Sequence, residues 1–180
     1  MTSPDRIREL LDRLSRLSAA EEWSDDLNPA QRGALAYLAR ANRFSRAPSH
    51  VADYLCTTRG TASQTLKALD RKGFVEQTRH LSDGRSVAYS VTDKGQSALR
   101  GESDLNLAVN TLPQEDAEAF ATVLEDILRS ALSRRGGKSF GLCHSCRHHQ
   151  KNENGAHCAL LNLPLSASET RQICHEHEAA

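Results

Sequence analysis

Apolar residues recur at three- and four-residue intervals along most of the chain and alternate in only one short stretch. Ile7, Leu10, Leu11, Leu14 and Leu17 share one face of a first helix whose other face carries Arg6, Arg8, Asp12 and Arg13. A helix with a single apolar stripe needs a partner to cover it. After the acidic break from Glu21 to Asp26, Asn28-Pro29 reads as an N-cap followed by proline at the first helical position. This opens a helix through Leu35, Leu38 and Ala39 that ends near Asn42. Pro48-Ser49 precedes a short helical stretch with Val51, Ala52 and Leu55. Cys56-Thr57-Thr58 then makes a turn that places a threonine as N-cap of a helix running from about Arg59 to Lys72.

Gly73 reads as a left-handed helix terminator, and beyond it the period changes to two. Phe74 to Arg79 and Ser86 to Val91 read as strands, with Val87, Tyr89 and Val91 on one face and Asp83-Gly84 as the hairpin turn between them. Past Thr92-Asp93-Lys94-Gly95 the helical period returns through Leu99, Leu105, Leu107 and Val109. Pro113 opens a long helix with Phe120, Val123, Leu124, Ile127 and Leu128, which Gly136-Gly137 ends. The stretch Arg134 to Ser139 reads as a hinge. The pattern therefore predicts a mainly α fold with a small β-hairpin, as residues 1–135, and a separate small module, residues 136–180.

Composition changes this picture little. Aromatic residues make up 4% of the chain, too few for a typical sandwich or barrel core. With 23 basic and 23 acidic residues, no global positive field advertises nucleic acid. The local balance differs: between Arg59 and Arg85 the basic Arg59, Lys67, Arg71, Lys72, Arg79 and Arg85 face only Asp70, Glu76 and Asp83. The start lacks the order of a signal peptide, and no apolar run is long enough to span a bilayer, so a cytoplasmic protein with no membrane partner is expected.

A helix, a tight turn, a second helix and a basic-tipped hairpin supply one element for the major groove and another for the flanking backbone or minor groove. Leu27-Asn28-Pro29-Ala30-Gln31, the run from Thr61 to Val75, Asp83-Gly84-Arg85 and Val91-Thr92-Asp93-Lys94-Gly95 together resemble the signatures of the MarR family, over roughly residues 5 to 133. The resemblance implies a winged helix-turn-helix with flanking dimerisation helices. It makes residues 59–72 the recognition helix, with Thr61, Ser63, Gln64 and Lys67 facing base edges or phosphates. Arg85 is similar to the wing-tip arginine that family members place in the minor groove, where negative potential is concentrated. It further implies a homodimer, joined through first and last helices, on a pseudo-palindromic double-stranded DNA operator whose half-sites lie about one turn apart, roughly 34 Å.

Four of the five cysteines fall in the last quarter of the chain. Cys143-His144-Ser145-Cys146 is followed by Cys158 after eleven residues and by Cys174 after fifteen more, with His144, His148, His149, His157, His175 and His177 among them. Disulfides are disfavoured in a reducing compartment, and four thiolates so close together suit one metal site. A single Cys-x-x-Cys knuckle with two lone cysteines favours an iron-sulfur cluster, [4Fe-4S] or [2Fe-2S], over zinc, whose structural sites often pair two knuckles or a knuckle with two histidines. The segment also resembles, loosely, small domains of the high-potential iron-sulfur protein type. His144 and His157 neighbour the ligands and are candidates to orient them. Cys56 is read apart, as a small residue packed in the helix-turn-helix turn.

These readings converge on a non-enzymatic DNA-binding regulator, a repressor by expectation, whose tail cluster senses redox state or iron by shifting against the adjacent dimerisation helix. The competing reading is a regulator that answers to a small-molecule effector, with zinc merely stapling the tail. A thiol-disulfide oxidoreductase built on Cys143 and Cys146 is a remote alternative, since the flanking sequence lacks a βαβ context.

Overall fold

The computed structural model describes residues 2–21, 26–79, 87–101, 103–152 and 155–180. Seven α-helices and three small antiparallel sheets occur among the described residues. The central core is built by α2 (Pro29–Arg40), α3 (Pro48–Tyr54), α4 (Arg59–Arg71), β1 (Val75–Arg79) and β2 (Val87–Val91). Leu35, Tyr37, Leu38, Val51, Leu66, Leu69, Phe74, Val75 and Tyr89 are buried in it together.

Local chemistry explains the boundaries. The Asn28 side chain accepts from the Gln31 amide at 2.9 Å, and Gln31 Oε1 accepts from the Asn28 amide at 3.3 Å. This is a full capping box with Pro29 just inside it. Thr58 Oγ1 accepts the Thr61 amide at 3.1 Å and starts α4 where the sequence places it. Gly73, at φ 76°, closes α4, with its amide on the Asp70 carbonyl and that of Phe74 on Leu69. β1 and β2 pair antiparallel from Val75 opposite Val91 to Arg79 opposite Val87, the hairpin that the alternation predicts. Its expected turn, Asp83-Gly84, lies outside the described residues.

α5 (Asp93–Ala98) docks tightly beneath this hairpin. A Cβ on Gly95 would run into the Phe74 carbonyl oxygen and sit 2.7 Å from Val91 Cγ1. Gly95→Ala is therefore expected to destabilise the domain by about 1–3 kcal/mol, read as a lower denaturant midpoint at unchanged slope.

α1 (Ser3–Glu21), α6 (Asp104–Asn110) and α7 (Gln114–Arg134) flank the core, and none of the three has a buried residue. The long helix ends at Arg134, before Gly136 at φ 64°, as expected. No described helix is long and apolar enough to cross a membrane.

The C-terminal segment has regular structure that its sequence pattern does not announce. β3 (Gly141–Leu142) pairs with β7 (Ile173–Cys174). β4 (His149–Asn152), β5 (Gly155–Cys158) and β6 (Leu163–Leu165) form a three-stranded meander. Rather than lying against α7 alone, this module folds back onto the corner between α2 and α3. The Asn42 amide donates to the Ile173 carbonyl at 2.9 Å, and Ala41 bridges Ile173. Arg43 donates to the Pro164 carbonyl at 2.8 Å and pairs with Glu169 at 3.2 Å. Phe140 sets its ring edge-on to Tyr37 and Tyr54, with centroids 5.9 and 5.1 Å away.

Candidate nucleic-acid interface and cysteine centre

α4 buries Ala62, Leu66 and Leu69 along one stripe and turns its opposite face outward. Thr61, Gln64 and Lys67 are exposed and Ser63 is half-buried. On a 3.6-residue helix, Gln64 and Arg71 point almost directly away from the buried stripe, with Lys67 beside them, whereas Thr61 and Ser63 stand on its two flanks. The Thr61 hydroxyl already shares a hydrogen bond of 2.8 Å with Thr58 at the cap. Lys72, counted among the local basic residues, is committed elsewhere: Nζ donates to the Asp26 carbonyl at 2.6 Å and to Gln31 Oε1 at 3.1 Å. Arg85 lies outside the described residues, so its position at the wing tip stays an expectation.

Cys56 departs from its expected role. It is exposed, at φ 51°, just after α3. The chain reverses there through a left-handed residue, and that conformation turns the side chain out instead of packing it in the turn.

Cys143, Cys146, Cys158 and Cys174 are all buried and all free. Cys143 starts a 3-10 turn, Cys143–Ser145, that brings the Cys146 amide to the Cys143 carbonyl at 3.2 Å. Cys158 ends β5 opposite His149, and Cys174 ends β7 opposite Gly141. Burial, with smaller contributions from Cys174, Cys158 and Cys146, pushes the Cys143 thiol up to about 12. Burial also raises the Cys174 thiol, against hydrogen bonding from Asn42, the Glu176 backbone and Ser45. Four thiols gathered out of water, with Cys174, Cys158 and Cys146 each making the Cys143 thiol harder to ionise, are a poor site for anions unless a cation compensates them.

Among the described residues, His50, His175 and Glu176 bring three ligand-type atoms within 4.8 Å of one another. In the C-terminal module His149 Nε2 and His177 Nδ1 are buried with no hydrogen-bond partner, and His148 Nε2 lies 3.5 Å from Glu178 Oε1. Four buried thiols are a donor set that fits an iron-sulfur cluster and a zinc ion alike.

His50, His175 and Glu176 form a second group. Its centre, His175, is engaged on both ring nitrogens: Nε2 lies 3.0 Å from Asp53 Oδ2 and Nδ1 lies 2.9 Å from Glu176 Oε1. It stacks on His50 at 4.0 Å. This arrangement fastens the C-terminal module to α3. Sequence reasoning named His175 only among the histidines of the tail and missed its pairing with His50 and Asp53, along with the parts of Asn42 and Ser45, since those partners lie more than a hundred residues away.

The model of the MarR family matches residues 25–86. S. aureus MepR in its DNA-binding conformation is 20% identical, with a TM-score of 0.60, covering 73% of this chain and 99% of that one. S. pneumoniae FabT in complex with DNA is 22% identical, with a TM-score of 0.56, covering 73% and 99%. MarR from E. coli, in its apo form, is 21% identical, with a TM-score of 0.53, covering 71% and 98%. No curated protein matches. At these identities the likeness establishes the fold: the chain has the winged-helix architecture of MarR-family structures. Their chains are covered almost completely, while more than a quarter of this chain has no counterpart in them.

Proposed function

We propose that this chain is a MarR-type transcription regulator that binds a pseudo-palindromic double-stranded operator as a homodimer, and that its C-terminal cysteines hold an iron-sulfur cluster through which redox state or iron modulates binding. The observation that carries the DNA-binding half is the face of α4. Directly after a Thr58-capped turn and beside the β1–β2 hairpin, it presents Gln64, Lys67 and Arg71 to solvent inside the segment that matches the family model. The bare apolar faces of α1 and α7 support the homodimer. The regulator acts without catalysing a reaction, and repression is the expected sense of control.

The test is selection of duplexes from a random library by the full-length protein. Enrichment of an inverted repeat with half-sites about one helical turn apart supports the reading; binding without sequence enrichment overturns it. On the selected site, Lys67→Ala is expected to weaken binding across sequences and lower the salt slope by about 1. Gln64→Ala is expected to cost about 1–3 kcal/mol and relax preference at one base pair. An unchanged slope and an unchanged preference would remove these residues from the interface.

The cluster half rests on four buried free thiols in one small module, arranged in sequence as a single Cys-x-x-Cys knuckle with two lone cysteines. When bound, the cluster supplies one-electron chemistry or a labile iron store. The chain's part is to exclude water from Cys143, Cys146, Cys158 and Cys174 and to bring the Asn42 side chain to Cys174. Protein purified without oxygen is expected to be brown and to contain iron and acid-labile sulfide. A colourless protein with stoichiometric zinc would make the tail structural and direct the search for a signal to a small-molecule effector; PcaV from Streptomyces coelicolor, similar in fold, was solved in complex with its natural ligand.

A further inference from the structure

We propose that residues 41–47, the corner between α2 and α3, are the element through which occupancy of the cysteine centre sets the geometry of the DNA-reading surface. This deepens the reading that the four cysteines hold a metal centre, and rests on it; what it adds is the route.

On one side the corner is part of the centre's wall. The Phe44 ring shares an apolar cluster with Cys143, Cys158 and Leu165. Cys174 is gripped by the corner at both of its neighbours: the Asn42 amide donates to the Ile173 carbonyl at 2.9 Å, and the His175 amide donates to Ser45 Oγ at 2.8 Å. Asn42 itself is completely buried. Its Oδ1 accepts from the Phe44 amide at 3.1 Å and from the Ser45 hydroxyl at 2.7 Å, which fixes the shape of the turn. Its side chain also hydrogen-bonds to the Cys174 thiol.

On the other side the same seven residues reach the wing and the helix-turn-helix. The Arg46 carbonyl accepts the Tyr89 amide of β2 at 3.1 Å, and the Arg46 guanidinium donates to the Ala41 carbonyl at 2.9 and 3.1 Å. The Tyr37 hydroxyl of α2 donates to the Ser45 carbonyl at 2.7 Å. α3 begins at Pro48, immediately after the corner, and packs on α4. The His175 side chain closes the loop by stacking on His50 and meeting Asp53, both in α3.

The corner therefore has different interactions in two states, which is what any coupling requires. With the centre filled, Asn42 Nδ2 gains an anionic sulfur to donate to and Phe44 lies against a fixed wall. With it empty, that donor meets only a thiol, a weak acceptor, and the wall loses what holds its four thiols in place. Relaxation of the corner then moves both the start of α3 and the strand of the wing, without passing through the flanking helices α1 and α7.

Amide hydrogen exchange on the full-length protein, purified without oxygen and compared before and after the metal is stripped by oxidation and chelation, tests this route. Peptides covering residues 41–55 are expected to exchange at least tenfold faster after stripping, with peptides within α1 and the middle of α7 unchanged. Unchanged exchange over 41–55, or a change carried by α1 and α7 instead, overturns the proposal. Iron, sulfide and zinc analysis of the same sample keeps the two failures apart: a protein that holds no metal and takes none up overturns the metal reading and this proposal with it, whereas metal without a response at 41–55 overturns the route alone. Ser45→Ala keeps every cysteine and removes the hydroxyl that joins His175 to Asn42. It is expected to retain metal and to lose most of the exchange difference between filled and stripped protein. An undiminished difference in that variant also counts against the corner.

Discussion

Cys158→Ser is expected to cut the iron and sulfide content of the protein at least tenfold while leaving its helical signal nearly intact. Cys158 ends β5, is buried, and shares its apolar surroundings with Phe44, Cys143 and Leu165. Serine fills nearly the same space, so the substitution tests ligation more than packing. Its hydroxyl ionises far less readily than a thiol and is a harder, poorer donor to iron than thiolate sulfur. The central core of α2, α3, α4 and the hairpin contains none of the four cysteines, so its helices have an independent reason to persist. The measurement is metal and sulfide analysis beside circular dichroism on protein made without oxygen. Full retention of iron would remove Cys158 from the ligand set, and wholesale loss of helix would mean that the module is part of the domain's cooperative core.

The helix-turn-helix was legible in the sequence because its determinants are local. Asn28, Pro29, Thr58 and Gly73 act on backbone groups within four residues of themselves, and Leu66 and Leu69 declare their buried face by spacing alone. The cysteine quartet was legible as a cluster of one residue type, and the structure buries all four. The packing of the module was not legible, for two physical reasons. Its strands are two to four residues long, too short for alternation to register. The contacts that place it are polar and remote: Ser45 meets His175, and Arg43 meets Pro164 and Glu169, through hydrogen bonds and an ion pair that leave no periodic trace. Phe140 is the apolar anchor, yet in sequence it is a single aromatic residue after the Gly136 to Ser139 stretch, in a left-handed conformation that no neighbouring residue foretells. Cys56 failed for a related reason, since a left-handed cysteine is not what its residue type suggests.

Leu14→Glu in α1 or Ile127→Glu in α7 is expected to convert the dimer to monomers at micromolar concentration and to lower operator affinity by about 10²–10⁴. In the single chain Ile7, Leu10, Leu11, Leu14 and Leu17 leave α1 with an uncovered stripe, and Phe120, Val123, Ile127 and Leu128 do the same for α7, each side chain between 37% and 56% exposed. Fully burying a large aliphatic side chain stabilises by roughly 1.5–3 kcal/mol, so nine such residues left half in water represent a driving force that a second copy of the chain can satisfy. Two-fold symmetry doubles the effect of a substitution: each dimer receives two carboxylates, both desolvated in an apolar seam. Neither residue contributes to the central core, so the monomer keeps its helix-turn-helix. Affinity falls because one half-site is then bound alone and the second loses the high effective concentration that the dimer confers. Analytical ultracentrifugation beside operator titration reads both effects. A variant that still sediments as a dimer and binds with unchanged affinity would mean that these faces are covered by something other than a second copy.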